Sequence, residues 1–89
     1  MWHKILVASL IAQMGLAWGE VDVNHAEIAA LDRIHGIGPS MSRRILHERE
    51  HAKFKNWTDF MVRIPGIKEK TAAKFSAQGL TVNGKSFPE

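Results

Sequence analysis

From residue 24 onward, apolar side chains recur three or four positions apart in four short runs, the spacing that places them on one face of a helix. Ile28, Leu31 and Ile34 make the first run. Asn24, with Glu27 three residues later, has the form of a capping box, so the first helix is predicted from about Ala26 to Ile34. His35-Gly36-Ile37-Gly38 breaks it. Pro39 suits the first position of a second helix, where its missing N–H would be unpaired in any case. That helix is predicted to reach about Arg49, with Met41, Ile45 and Leu46 inward and Arg43, Arg44 and Arg49 in solvent. A basic connector, His51 to Lys55, holds one large apolar residue, Phe54. Asn56 and Asp59 then repeat the capping arrangement ahead of a third stripe, Trp57, Phe60, Met61 and Ile64, which Pro65-Gly66 ends. Lys68 to about Gln78 forms the fourth helix, with Ala72 and Phe75 inward and Gly79 as its stop. Val21-Asp22-Val23 and Leu80-Thr81-Val82 suggest two brief extended segments able to pair. Asn83-Gly84 suggests a turn, with the rest a tail.

The halves of this pattern are the same unit written twice. Leu31-x-x-Ile34-His35-Gly36-Ile37-Gly38 falls on Met61-x-x-Ile64-Pro65-Gly66-Ile67-Lys68 at an offset of 30 residues, and Ile45 falls on Phe75 at the same offset. Each half is a helix, a Gly-Ile turn and a second helix.

The first 19 residues stand apart from this organisation. Lys4 precedes the uncharged run Ile5 to Ala12, and Ala17 and Gly19 are small residues at −3 and −1 of a cut before Glu20. Such a layout is that of a cleaved secretory signal. The run is shorter than the roughly 20 apolar residues a membrane span needs, so no lasting membrane insertion is expected after cleavage. Export, to a bacterial periplasm, is the expected localisation. The expected domain covers residues 20–82, with 83–89 as tail. A chain this small must draw stability from Ile28, Leu31, Ile34, Ile45, Leu46, Phe54, Trp57, Phe60, Met61, Ile64, Phe75 and Leu80. It has no cysteine, which excludes disulfides and thiolate metal sites.

Charge adds the first functional indication. The whole chain carries +3. Between Arg33 and Lys74, however, ten basic residues face four acidic ones, behind the acidic lead of Glu20, Asp22, Glu27 and Asp32. A basic block of this kind suits a polyanion.

The turn supplies the chemistry. Glycine permits positive φ and leaves room for a foreign backbone, while Ile37 is expected to turn inward and pin the hairpin. A helix beginning straight after such a turn presents free N–H groups and the positive end of its dipole, a natural phosphate site. Gly36, Ile37 and Gly38 would bring their backbone to it, Ser40 and Ser42 their hydroxyls, and Arg43 and Arg44 their charge. In the second hairpin Gly66 keeps the turn, Lys68 stands in place of the second glycine, and Lys70 is beside it. The first hairpin is thus expected to dock by amides and the second more by charge. Paired hairpins related by a pseudo-twofold could sit across one minor groove, with little sequence preference and a steep dependence on salt.

Ile34-His35-Gly36-Ile37-Gly38-Pro39-Ser40-Met41-Ser42-Arg43-Arg44-Ile45 resembles the helix-hairpin-helix signature. The run from Val21-Asp22-Val23-Asn24 to Leu80-Thr81-Val82 resembles the ComEA-like competence family. The resemblance implies an all-α fold, a tandem helix-hairpin-helix of four short helices with a connector and minor terminal strands. It implies non-specific binding of double-stranded DNA and a role in drawing DNA across the envelope during transformation, beside envelope DNA-transport components. It carries over to Gly36, Gly38, Ser40 and Arg43, and less directly to Gly66, Lys68 and Lys70. His35, where the family usually has proline, and Lys68, for glycine, depart from the pattern.

Other readings compete. The same hairpins also mediate protein contacts, so a protein-interaction module without DNA binding is the alternative. His47-Glu48-Arg49-Glu50-His51 matches the zinc-protease pattern, but catalysis needs a third ligand, and no histidine follows His51. Base-extruding repair enzymes need a receiving pocket, which four short helices do not offer. No enzymatic activity, cofactor, metal site or small-molecule substrate is expected. Asn56-Trp57-Thr58 matches a glycosylation sequon, for which a helix cap is sufficient reason.

Overall fold

The computed structural model describes residues 20–89; the expected signal at 1–19 lies outside the described residues. The order is β1 (Val21–Asp22), α1 (Ile28–Asp32), α2 (Pro39–His51), α3 (Trp57–Arg63), α4 (Glu69–Ala77) and β2 (Leu80–Thr81). The architecture is the expected all-α one, with the two brief strands pairing in parallel, Val21 to Leu80 and Asp22 to Thr81. This pairing ties the start of the domain to its end. None of the described helices is long and apolar enough to cross a membrane.

Burial reproduces the repeat. From Ile34 to Leu46 the alternation of buried, half-buried and exposed positions is the same, residue for residue, as from Ile64 to Ser76. Leu31, Ile34, Ile37 and Ile45 from one half meet Phe60, Ile64, Ile67 and Phe75 from the other in one core. Phe54 and Trp57 join it, each with an edge-to-face contact to Phe60 at 5.0 and 5.6 Å.

The first helix departs from expectation. It is five residues long, its N-cap is Glu27 with no side-chain cap bond, and Ile28 is 42% exposed rather than core. Asn24 is not its cap. Its buried amide accepts from the Phe54 N–H at 2.7 Å and donates to the Phe54 carbonyl at 2.9 Å and to Asn83 at 2.9 Å. A polar side chain with three long-range bonds holds the connector more firmly than a local cap would hold the chain start. Asn56 does cap α3, accepting from the Asp59 N–H at 2.8 Å.

Two basic residues of the block are structural. Arg49, expected in solvent, donates to the Val23 carbonyl at 3.0 Å. Arg63 donates to the carbonyls of Glu48 and Ala52, both at 2.7 Å, and lies 4.3 Å over the Phe54 ring. It thereby satisfies the carbonyl of Ala52, the C-cap of α2, and adds a second bond to that of Glu48, which already accepts the Ala52 N–H at 3.2 Å. It also pairs with Asp59 at 3.2 Å and Glu48 at 3.5 Å. Asp59 accepts the Lys55 N–H as well; that bond, opposed by partial desolvation and aided by the Arg63 charge, holds its carboxyl below the ordinary carboxylate range.

The 83–89 segment, expected to be a tail, is packed into the domain. Asn83-Gly84 is indeed a turn, closed by a Val82–Lys85 bridge, with both residues at positive φ (54° and 77°). Beyond it, the buried Trp57 indole N–H donates to the Lys85 carbonyl at 2.8 Å, and Phe87 lies against the same ring at 5.4 Å. The Phe87 N–H donates to Ser76 at 2.8 Å.

Candidate nucleic-acid interface

The two turns have the same backbone, for different reasons at each glycine. Gly36 and Gly66 both take positive φ, 103° and 92°. At Gly36 the interior adds a second demand, since a Cβ there would stand 2.9 Å from Phe75 Cε1; at Gly66 none of the described atoms would lie within 4 Å. Gly38 is different. Its backbone is extended, φ −85° and ψ 176°, and a Cβ would meet nothing within 4 Å. Lys68 holds the equivalent conformation, φ −109° and ψ −179°, with a full side chain. The fold therefore does not require glycine at 38, and its missing side chain leaves the start of α2 open from outside.

Both α2 and α4 start without a side-chain cap. Each begins its helical bonding at the fourth residue after the turn, Ser42 N–H to the Gly38 carbonyl at 2.9 Å and Ala72 N–H to Lys68 at 2.8 Å. Among the described residues the N–H groups of Gly38, Ser40 and Met41, and of Lys68, Lys70 and Thr71, have no acceptor. Of the four described helices, only α3 has a side-chain cap. Uncapped N–H groups at the positive end of a helix dipole are what an anionic oxygen needs.

The hairpins cross. Phe75 of α4 supports Gly36, and Gln78 at the end of α4 donates to and accepts from the His35 backbone. In return, Ser40, Met41 and Arg44 of α2 line a groove with Ile64 and Pro65 of the second turn. Ser40 and Arg43 are exposed, and Arg43 has no ion pair among the described residues. Arg44 is half-exposed and pairs with Glu48 at 3.3 Å, a contact weak enough in water to yield to a stronger anion. Lys68 and Lys70 are exposed beside the second turn. Ile37 is buried and serves as the expected pin.

Ser42 is the correction. It is fully buried and its hydroxyl donates to Asp32 at 2.5 Å, tying α2 to α1. Helical geometry turns it about 100° from Arg43 and about 200° from Arg44, so it has no hydroxyl to offer a phosphate on their face.

Three contributors went unrecognised among the candidate residues. Lys74 is an exposed cation one turn beyond Lys70. Glu69, in the first turn of α4, sets a carboxylate beside amides that have only Pro39 beside them in α2. Both were legible from the 30-residue offset, position by position. Gln78 was not, because its partner His35 is 43 residues away. At the zinc-protease pattern, Glu48 is held between Arg44 and Arg63.

The family profile of the helix-hairpin-helix motif matches residues 17–78, both hairpins included. The chain belongs to the helix-hairpin-helix family. The motif is commonly a nucleic-acid-binding one, and the helix-hairpin-helix turns are where the uncapped N–H groups lie. Searches among curated proteins and among solved structures found no match.

Proposed function

We propose that this protein binds double-stranded DNA through its phosphates, without regard to sequence. The observation that carries the reading is the pair of uncapped helix starts, each following a positive-φ glycine and flanked by exposed cations. The first hairpin docks by the N–H groups of Gly38, Ser40 and Met41, with Arg43 and Arg44 reaching neighbouring phosphates. The second docks more by Lys68 and Lys70, because Glu69 competes at its amides. Phosphates are the same for every sequence, so base identity contributes little.

The physiological reading is uptake of DNA during transformation by a protein exported to a bacterial periplasm and acting beside envelope DNA-transport components. The charged, apolar and small-residue order of residues 1–19 supports export, and likeness to the ComEA-like competence family supports uptake. The protein acts as a binder, not an enzyme. Mass spectrometry of the protein from bacterial envelope fractions tests export: the reading expects a chain beginning at Glu20.

Fluorescence anisotropy with unrelated labelled duplexes across a salt series tests the binding itself. The expected result is similar affinity for all duplexes, with log K falling linearly in log salt at about 0.9 per phosphate neutralised. Absence of binding at low salt refutes it and favours hairpins that grip another protein.

A further inference from the structure

The first turn has little internal support. Its backbone bond is Ile37 N–H to the Ile34 carbonyl at 3.0 Å. At the tip, His35 directs both backbone groups to one side chain. Its N–H donates to Gln78 Oε1 at 2.6 Å and its carbonyl accepts from Gln78 Nε2 at 2.9 Å. Since a backbone N–H can only donate, one orientation of the Gln78 amide satisfies both bonds. The same Nε2 also reaches the Lys74 carbonyl at 3.3 Å, so the amide is fixed by its own helix before it meets the turn.

Among the described residues the second turn has no such clamp, and its own chemistry replaces one. Its tip residue is Pro65, which lacks an N–H and has its φ fixed by the ring. The residue equivalent to Gln78, 30 positions earlier, is Glu48, and its carboxylate is taken by Arg44 and Arg63. One hairpin is held by a ring and the other by an amide from across the domain.

We infer that Gln78 is a positioning residue for DNA binding by the first hairpin, a role that rests on the DNA-binding reading above. It fixes His35 so that the N–H groups of Gly38, Ser40 and Met41 are arranged before a phosphate arrives. Both His35 groups are exposed, so without Gln78 they turn to water and the fold loses little. The loss falls on binding instead, because a loosened turn must be ordered when DNA docks.

Gln78→Met keeps the length of the side chain and removes both bonds. In the purified protein it is expected to weaken duplex binding about fivefold to tenfold. The salt slope stays at its wild-type value, because no cation is lost. The melting temperature changes little, and the Ile37 amide exchanges faster by NMR. His35→Pro gives the first turn the device of the second; in that background Gln78→Met is expected to leave affinity within about twofold. An equal loss in both backgrounds overturns the inference, as does unchanged affinity in the single variant. A salt slope reduced by a whole contact also overturns it, since this region would then touch DNA directly. Should His35→Pro fail to fold, Gln78→Ala read by slope and amide exchange decides alone. A wild type that binds no duplex overturns the DNA reading and this role together, whereas a binding wild type with an indifferent Gln78→Met overturns the role only.

Discussion

Alanine at Gly36 and at Gly38 should separate what holds the turn from what the turn holds. At Gly36 two costs add. A non-glycine residue at a φ of 103° is strained, at about 1–2 kcal/mol. The new Cβ would also stand 2.9 Å from Phe75 Cε1, a ring only 2% exposed, and forcing a packed ring aside costs about 1–3 kcal/mol. The sum, roughly 2–5 kcal/mol, lowers the melting temperature by about 10 °C or more, given about 4–8 °C per kcal/mol in a domain of this size. At Gly38 neither cost applies, since φ is −85° and nothing lies within 4 Å. Restricting the unfolded chain there should even stabilise by about 0.4–1 kcal/mol. Yet the Cβ would stand before the open N–H groups of α2, and an affinity loss of about tenfold, or ~1.4 kcal/mol, is expected. Urea melts give the stabilities, and salt-resolved anisotropy on the same samples gives the affinities. A Gly38→Ala protein as stable as wild type that binds DNA equally well refutes the assignment of that opening to phosphate.

Ser42→Ala should cost about 1–2 kcal/mol through its lost bond to Asp32, while DNA affinity stays within about twofold in anisotropy. Arg43→Ala should lower the salt slope by about 0.9 with an unchanged melting temperature, as expected of an exposed cation on a phosphate. Asp59 titrates in the fold below its ordinary value of 3.8, so its contribution is complete at neutral pH and disappears as pH falls through the lowered value. Urea melts from pH 7 to 3 should therefore show wild type and Asp59→Asn converging at the acid end. Ending the chain at Val82 removes the acceptor of the buried Trp57 indole and the Phe87 ring packed on it, a loss of about 2–4 kcal/mol by thermal melt, where a free tail would cost nothing.

What the sequence made legible was periodic or local. The apolar spacing placed the four helices, the 30-residue offset exposed the repeat, and Asn56 with Asp59 marked a real cap. The same local logic failed at Asn24. The Asn-x-x-Glu pattern is equally satisfied by a residue whose partners, Phe54 and Asn83, are 30 and 59 positions away. Ile28 failed for a related reason: a five-residue helix has too few turns to keep a stripe buried, and Leu31 takes its inward place. At the candidate interface, glycines and exposed cations were visible as residue types. Arg63, identical to them in type, spends its donors on carbonyls that no pattern announces. The phase of Ser42 on α2 decided its burial, and one residue of phase separates it from exposed Arg43.

The repeat itself distinguishes fold from function. Across the 13 positions from Ile34 to Leu46 and from Ile64 to Ser76, burial is the same, and the large buried positions stay apolar: Ile34 with Ile64, Ile37 with Ile67, Ile45 with Phe75. Several exposed positions do not keep their character, although Gly36 matches Gly66 and Arg44 matches Lys74 in charge. Gly38 faces Lys68, Pro39 faces Glu69, Ser40 faces Lys70 and Arg43 faces Ala73. Each of these four exchanges changes the charge or the bulk beside a helix start. Where the backbone is open, in α2, the charge lies one turn away on Arg43 and Arg44. Where a carboxylate stands in the first turn, in α4, lysines stand directly on the turn. Under the proposed DNA-binding reading, two hairpins differentiated in this way divide one task, the first fixing a phosphate by geometry and the second holding its neighbour by charge.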